Sequence, residues 1–417
     1  MASLQTKPLR VLISGAGVAG PSLAFWLTRL GHSCTIVERS SQLRASGQQI
    51  DIRTQGIEAA DRMGLLGELR KMVVDEGGLQ FVNAQSKPIA TFPKVEAQPG
   101  QKKSQQGFSS EYEMMRGDVC QLLYDKTRQS TEYVFGKHVT AFQNEANGVQ
   151  VTLSDGETKK YDMLVAADGQ SSRTRRLLLR DEDPSVDYSR DLGLYIAYFS
   201  IPRLPDDKNM ATFCLAPGRR IIASRFHSPT QGQAYLATMA HLDQLKAAQG
   251  QDVAAQKALF ARLFRGTGWQ SERFIEAMMQ CDDFYYQSMT QIRTKIWSKG
   301  RVVLLGDAGY APTPMTGMGT SLAFVGAHVL AGEISRHPND LSAAFAAYDS
   351  TLRPWVDEMQ KIPRGLPGLA YPKSAWGVKA FEWLVGTSMK LRLNRFVKSG
   401  GFSEGGWQLP RYPQLEA

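Results

Sequence analysis

Residues 9–38 read LRVLISGAGVAGPSLAFWLTRLGHSCTIVE, and this stretch decides the fold. Residues 9–13 are a short apolar run containing the β-branched Val11 and Ile13, which predicts a buried strand. The turn Gly15-Ala16-Gly17-Val18-Ala19-Gly20 punctuates it. Residues 21–30 then carry Leu23, Leu27 and Leu30 at helical spacing, and Gly31 suits the position just past a helix end. Residues 33–37 give a second strand, closed by Glu38. The whole is a βαβ unit.

Chemistry explains each glycine. Gly15 makes the tight turn, Gly17 lets backbone approach a pyrophosphate, and Gly20 allows the helix to lie close on the strand. Ala19 belongs to the same phosphate-facing turn. The helix start offers unpaired N–H groups and a positive dipole end. Glu38 can accept both ribose hydroxyls and repels a 2′-phosphate, so the resident nucleotide is expected to be FAD or NAD.

The surroundings are those of an ordinary globular chain. It has 417 residues, 42% hydrophobic and 21% charged, which predicts one large domain carrying a second lobe. The net charge is +9, but Lys and Arg are dispersed, so nucleic acid is not an expected partner. A basic surface would instead attract anionic cofactors. Cys34, Cys120, Cys214 and Cys281 are widely spaced and show no metal-ligand pattern, which predicts free thiols and no metal. Residues 11–28 and 308–332 lack formal charges, but Gly and Pro interrupt both, so no stable membrane insertion is expected. A cytoplasmic monomer or weak dimer is the default.

Along the chain, residues 57–72 predict one amphipathic helix, 116–128 another, and 149–166 a hairpin leading into a buried strand. Between about 187 and 286, alternating runs at 193–201, 220–226 and 234–239 indicate a separate sheet. Residues 301–305 return to a buried strand, 320–334 to a long apolar helix, and 381–397 form a basic amphipathic stretch expected to dock on the body. The fold class is α/β: a Rossmann-like FAD-binding domain with an inserted mixed β-sheet substrate domain and a C-terminal helix. The division is residues 1–78, 111–184 and 287–368 for the nucleotide domain, 79–110 and 185–286 for the substrate lobe, and 369–417 for the tail.

Two later motifs choose between the nucleotides. Asp168-Gly169 follows one buried strand, and Gly306-Asp307 follows another, with Gly317-Met318-Gly319 opening a helix near Thr320. Asp307 can take hydrogen bonds from ribityl hydroxyls. The amides of 317–320 can face the edge of a flavin where negative charge develops on reduction.

With these three motifs in order, residues 9–360 resemble the group A flavoprotein monooxygenases of the para-hydroxybenzoate hydroxylase fold. The stretches Gly47-Gln48-Gln49-Ile50-Asp51-Ile52 and Met114-Met115-Arg116 are similar to tetracycline-inactivating and fungal secondary-metabolite monooxygenases. The resemblance implies FAD contacts for Glu38, Arg39, Gln48, Arg116, Asp307, Gly317, Gly319 and Thr320, and a structural or NADPH-related role for Asp168. It also implies a visiting NADPH or NADH, O₂, and a flavin C4a-hydroperoxide that hydroxylates or epoxidises an electron-rich small molecule. The alternatives are an FAD-dependent reductase or dehydrogenase, and a flavin binder without turnover. Where many relatives carry Ala-His, this chain has Gly309-Tyr310, so Tyr310 becomes a candidate for the flavin or pocket. Arg173 or Arg175 is the match for the arginine after Asp-Gly. Tyr195, Tyr198, Phe213, Arg225, Pro314 and Met315 are candidate pocket residues, with Arg225 a candidate for orienting an anionic or phenolate substrate.

Overall fold

A computed structural model describes residues 7–44, 47–94, 112–187, 189–363, 365–390 and 406–416. Its first sheet is built on the Arg10–Ser14 strand, which runs parallel to Ser33–Glu38 on one side and Met163–Ala166 on the other. Val302–Leu304 and Thr131–Phe135 extend the parallel order outward, and the short Ser298–Lys299 strand closes one edge antiparallel. All four residues of Met163–Ala166 are buried, the pattern of a strand covered on both faces.

The Ala19–Arg29 helix ends in the Schellman arrangement that Gly31 suggested. Gly31 has φ +84°, its N–H donates to Thr28 O, and His32 N–H donates to Leu27 O. The long Gly319–Arg336 helix packs beside it, buried almost throughout. Where one helix was expected over 57–72, two short ones form, Gln55–Arg62 and Leu66–Lys71. Gly64, at φ +73°, breaks them, because a left-handed residue cannot continue a helix.

The second sheet has seven strands, in the order 285–292, 189–202, 231–238, 220–226, 211–216, 78–82, 88–93. All neighbours are antiparallel except 211–216 against 78–82, so the sheet is mixed as expected. Its last strand, Tyr285–Ile292, runs past the expected lobe boundary at 286. Three helices between 242 and 280 cover one face around Phe260, Phe264 and Phe274. A two-stranded antiparallel ribbon, Gln49–Ile52 with Tyr112–Met115, lies between the two sheets' loops and is tied to the long helix by Arg53 N–H donating to Ser321 Oγ. The hairpin expected over 149–166 forms from Gly148–Leu153 and Thr158–Tyr161, with Val139–Glu145 as a third strand.

In the tail, the Ala375–Lys390 helix rests Phe381 on Phe81. The remainder of the expected 381–397 stretch lies outside the described residues. No helix among the described residues is long and apolar enough to cross a membrane.

The two sheets meet through a pair of buried amides. Gln360 Nε2 donates to the carbonyls of Ile292, Tyr310 and Ala311, and Gln291 Nε2 donates to Pro312 O and Gln360 O. They pin the loop after the Gly306-Asp307 motif to the end of the substrate sheet. Gln360→Leu would remove the buried donor shared by Ile292 O, Tyr310 O and Ala311 O, of which Ala311 O keeps the Ile292 N–H. We expect it to lower stability by about 1–3 kcal/mol, read from the urea midpoint at constant m value.

Candidate active site

A single cavity of about 920 Å³ runs from Glu38 at one end to the substrate sheet at the other. Two helices aim their N-termini into it. Neither Ala19–Arg29 nor Gly319–Arg336 has a side-chain cap or an acidic residue in its first turn. The leading N–H groups of both are thus left to a ligand, and both dipoles favour negative charge there.

The glycines divide by what a side chain would meet. A Cβ on Gly15, which has φ +112°, would lie 2.4 Å from Ala167 O, and one on Gly20 would lie 2.1 Å from Gly15 O. Those two are required by the protein itself. A Cβ on Gly17 would meet only Arg116 Nη2, at an ordinary 3.5 Å, and otherwise the cavity. Gly17 is therefore a glycine the fold does not need, consistent with a ligand lying against its backbone.

Glu38 lines the same end. Its Oε2 accepts from Ala16 N–H and its Oε1 from Ser40 N–H, which hold the carboxylate across the glycine turn with lone pairs to spare. Arg39, Arg44, Arg173 and Arg176 line the same cavity, cationic side chains suited to an anionic ligand. Burial, then the charges of Arg173 and Arg39, holds His138 below its ordinary value, so its ring is neutral beside Arg173.

Midway, Arg116 and Asp307 face the cavity with Gln48, Gly317, Gly319 and Thr320. Asp307 is open to the cavity yet enclosed by surrounding protein. Burial pushes its carboxyl up, and Arg116 opposes that. The loop before the long helix is strained: Thr313 is buried with φ +80°, and Gly317 takes the left-handed φ +64° that ends a short turn. A Cβ on Gly317 would press on Asp51 Oδ2 at 2.9 Å. Strain of this kind persists only where packing over-determines it.

Several expected residues belong elsewhere, but Asp168 lines the cavity. It accepts from Ser172 Oγ, Arg173 N–H, Thr174 N–H and Thr174 Oγ1, and so caps the Arg173–Leu179 helix. Of the two arginines after it, Arg173 reaches the cavity, while buried Arg175 donates to Gln170 O and Ala308 O and ties the two aspartate motifs together. Tyr310 turns into the core: its hydroxyl pairs with Tyr348 Oη at 2.7 Å, its ring packs on Trp297, and Gly326 leaves room for it. The turn Asp307–Tyr310 puts Asp307 on the cavity side and Tyr310 behind it.

Tyr195 lies on the helix-covered face of the substrate sheet, beside Tyr286. Tyr198 stacks on Tyr285, Phe213 packs on Phe81, and Met315 is exposed. Pro314 does line the cavity. Arg225 also reaches the wall, but it is not free for an anion. It pairs with Glu76 and Glu113, so its charge is spent on the protein's own acids.

The sequence reading passed over Glu113 and Tyr285 and gave Gln49 and Asp51 no individual role, and all four line the cavity. Alternation in the two ribbon strands was the available signal, since Asp51 and Glu113 are cross-strand partners and share a face with Gln49. Tyr285 donates its hydroxyl to Gln48 Oε1, joining the sheet to the loop before the ribbon.

With two uncapped helix ends, a spare-volume glycine and an enclosed aspartate on one cavity, the residues present fit FAD. A family model described as an FAD binding domain matches residues 8–357. The chain belongs to the FAD-dependent monooxygenase family. It is 35% identical to FAD-dependent monooxygenase asL4 of Sarocladium schorii over 98% of this chain and 99% of that one. It is 39% identical to flavin-dependent monooxygenase eupH of a Phoma species, covering 93% and 94%. Among solved structures it is similar to tetracycline destructase Tet(51), with a TM-score of 0.77 and 28% identity over 97% of this chain and 99% of that one. The Klebsiella pneumoniae HpxO complex with FAD and uric acid, at 20% identity and a TM-score of 0.70, shares the fold. The chain is accordingly an FAD-dependent oxidoreductase.

Gly17→Ala and Gly20→Ala should separate the ligand's demand from the fold's. We expect Gly17→Ala to keep the apoprotein's stability within about 0.5 kcal/mol while weakening FAD binding by about tenfold or more, in a flavin-fluorescence titration. Gly20→Ala should lower both.

Proposed function

We propose that this protein is an NAD(P)H- and O₂-dependent flavin monooxygenase that places one oxygen atom into an electron-rich aromatic or unsaturated natural product, by hydroxylation or epoxidation. The observation that carries it is continuity. The cavity that begins at the glycine turn passes Asp307 and the Gly319–Arg336 N-terminus and ends on side chains of the substrate sheet. A substrate there would sit beyond the far end of a bound dinucleotide, at its reactive ring.

When bound, FAD supplies hydride acceptance and oxygen activation. The protein's own residues hold and orient. Gly15, Gly17, Ala19 and Gly20 would seat the pyrophosphate, with Glu38 and Arg39 at the adenosine end. Arg116, Gln48 and Asp307 would contact the middle of the cofactor, and Gly317, Gly319 and Thr320 would turn N–H groups to its electron-rich edge. No second strand-and-glycine unit occurs among the described residues, so the nicotinamide co-substrate would visit without a domain of its own. The resemblance to fungal flavin monooxygenases supports a natural-product substrate.

Two measurements test this. NADPH oxidation by the flavin-loaded protein, run against phenolic, indolic and olefinic compounds, should give products heavier by one oxygen atom. If none gains oxygen and none accelerates flavin reduction, the reading fails. Asp307→Ala should weaken FAD binding by about 10–100-fold, the value of a hydrogen bond to a charged group, with secondary structure by circular dichroism unchanged.

A further inference from the structure

The Ala375–Lys390 helix turns to solvent the kind of side that surface helices ordinarily bury. It opens on a side-chain cap, Gly377 N–H donating to Ser374 Oγ at 3.1 Å. Its inner side is apolar: Val378 is buried, and Phe381 and Val385 close on Phe81, Ile89 and Leu215 of the substrate sheet. Its outer side is apolar too. Trp376 is 79% exposed, Trp383 70% and Leu384 61%, and Leu369, just ahead of the helix, is 74% exposed. These are the four most exposed large apolar side chains among the described residues, and all fall within residues 369–384. Trp376 and Trp383 lie two helical turns apart, so they share one stripe about 10 Å long. Singly exposed leucines are ordinary on a protein surface; two tryptophans and a leucine together are not.

Charge gives this face its sign. Residues 361–403 of the sequence hold eight Lys and Arg against one acid, Glu382, a net +7 (8 − 1) of the chain's +9. The excess charge is thus concentrated here rather than dispersed. Glu382 does not stand with the tryptophans. It lines the small apolar space behind the helix with Phe81 and Leu215, and burial raises its carboxyl against the pull of Lys379. Lys379, between the two tryptophans in sequence, is exposed, as is Lys373 just before the helix. The segments that the helix packs on add no acid: residues 87–94 carry Lys87 and Lys94, and 211–220 carry Arg219 and Arg220.

We propose that the outer face of this helix is a peripheral membrane-docking site, and that it takes the surface of an anionic phospholipid bilayer. The helix lies flat in the interface, with Trp376, Trp383 and Leu384 at the boundary of headgroups and acyl chains, and Lys373 and Lys379 meeting lipid phosphates. Tryptophan suits that boundary, since its ring is apolar while its indole N–H still needs a wet partner. A second copy of the chain fits worse, because it would set like charge against like. A nucleic acid would pair with the lysines but gain nothing from Leu369 and Leu384. The attachment is to one leaflet only, since no described helix is long and apolar enough to cross a membrane.

The test uses the full-length, FAD-loaded protein and sucrose-filled vesicles, one set of phosphatidylcholine alone and one with about a third phosphatidylserine. No readout depends on turnover or on the substrate. We expect the protein to sediment with the anionic set, to bind the neutral set weakly, and to be released as salt rises to about 0.5 M. Phosphatidylcholine brominated on its acyl chains, mixed into the anionic set, should quench tryptophan fluorescence. The double variant Trp376→Ser with Trp383→Ser should lower partition about tenfold or more and remove that quenching. Lys379→Glu should weaken binding to the anionic set alone. These side chains stand mostly in solvent, so the variants should keep the FAD content and thermal midpoint of the native chain. If the protein ignores anionic vesicles, binds both sets alike, or binds as well in the double variant, the proposal is overturned. Light scattering without lipid tests the competing occupant: a dimer that the double variant returns to a monomer assigns the face to a second copy and overturns the proposal as well.

Discussion

The structure depends on keeping two helix N-termini bare inside one cavity. Helix starts are ordinarily closed by Ser, Thr, Asp or Asn side chains, since four N–H groups otherwise go without partners. Elsewhere in this chain a described α-helix either has a side-chain cap, as from Ser172, Asp252 and Asp340, or carries an acidic residue in its first turn, as Asp118 and Glu272 do. Ala19–Arg29 and Gly319–Arg336 have neither, and both face the same space. The strands that precede them stand one place apart from the same central strand, so the sheet topology itself brings the two ends together. Ligands of open parallel sheets bind outside the carboxyl ends of strands for this reason.

From that constraint the charge distribution follows. At the glycine-turn end the wall carries Arg39 and Arg173, and Glu38 is held there by two backbone amides. At the sheet end, Arg225 pairs with Glu113 and Glu76, and Arg53 pairs with Asp51. The cavity thus carries arginines at its nucleotide end and ion-paired acids at its sheet end. Binding energy at the first end anchors; the second end discriminates, because a buried polar group left unpaired penalises the wrong ligand more than a good contact rewards the right one.

The nucleotide half was legible because local chemistry forces it. Gly15 and Gly20 sit where only glycine fits, Gly31 takes the left-handed turn that ends a helix, and the apolar strands are buried on both faces, so short segments declare themselves. The substrate half was not. Tyr195 and Tyr198 are neighbours in alternation with Arg225 two strands away, but a two-residue period says only that faces differ, not which face meets the cavity. Tyr310 was misplaced because the turn after Gly306 reverses direction within four residues. Arg225 was misread because its partners, Glu76 and Glu113, come from distant segments, and an ion pair across 149 residues leaves no mark in the sequence.

The central claim is that the bare helix ends hold FAD as a resident cofactor. The direct measurement is to denature the purified protein and identify and quantify what it releases. The account predicts FAD, approaching one molecule per chain. Release of NAD, or of FMN without its adenosine half, would contradict the assignment of the glycine turn and Glu38.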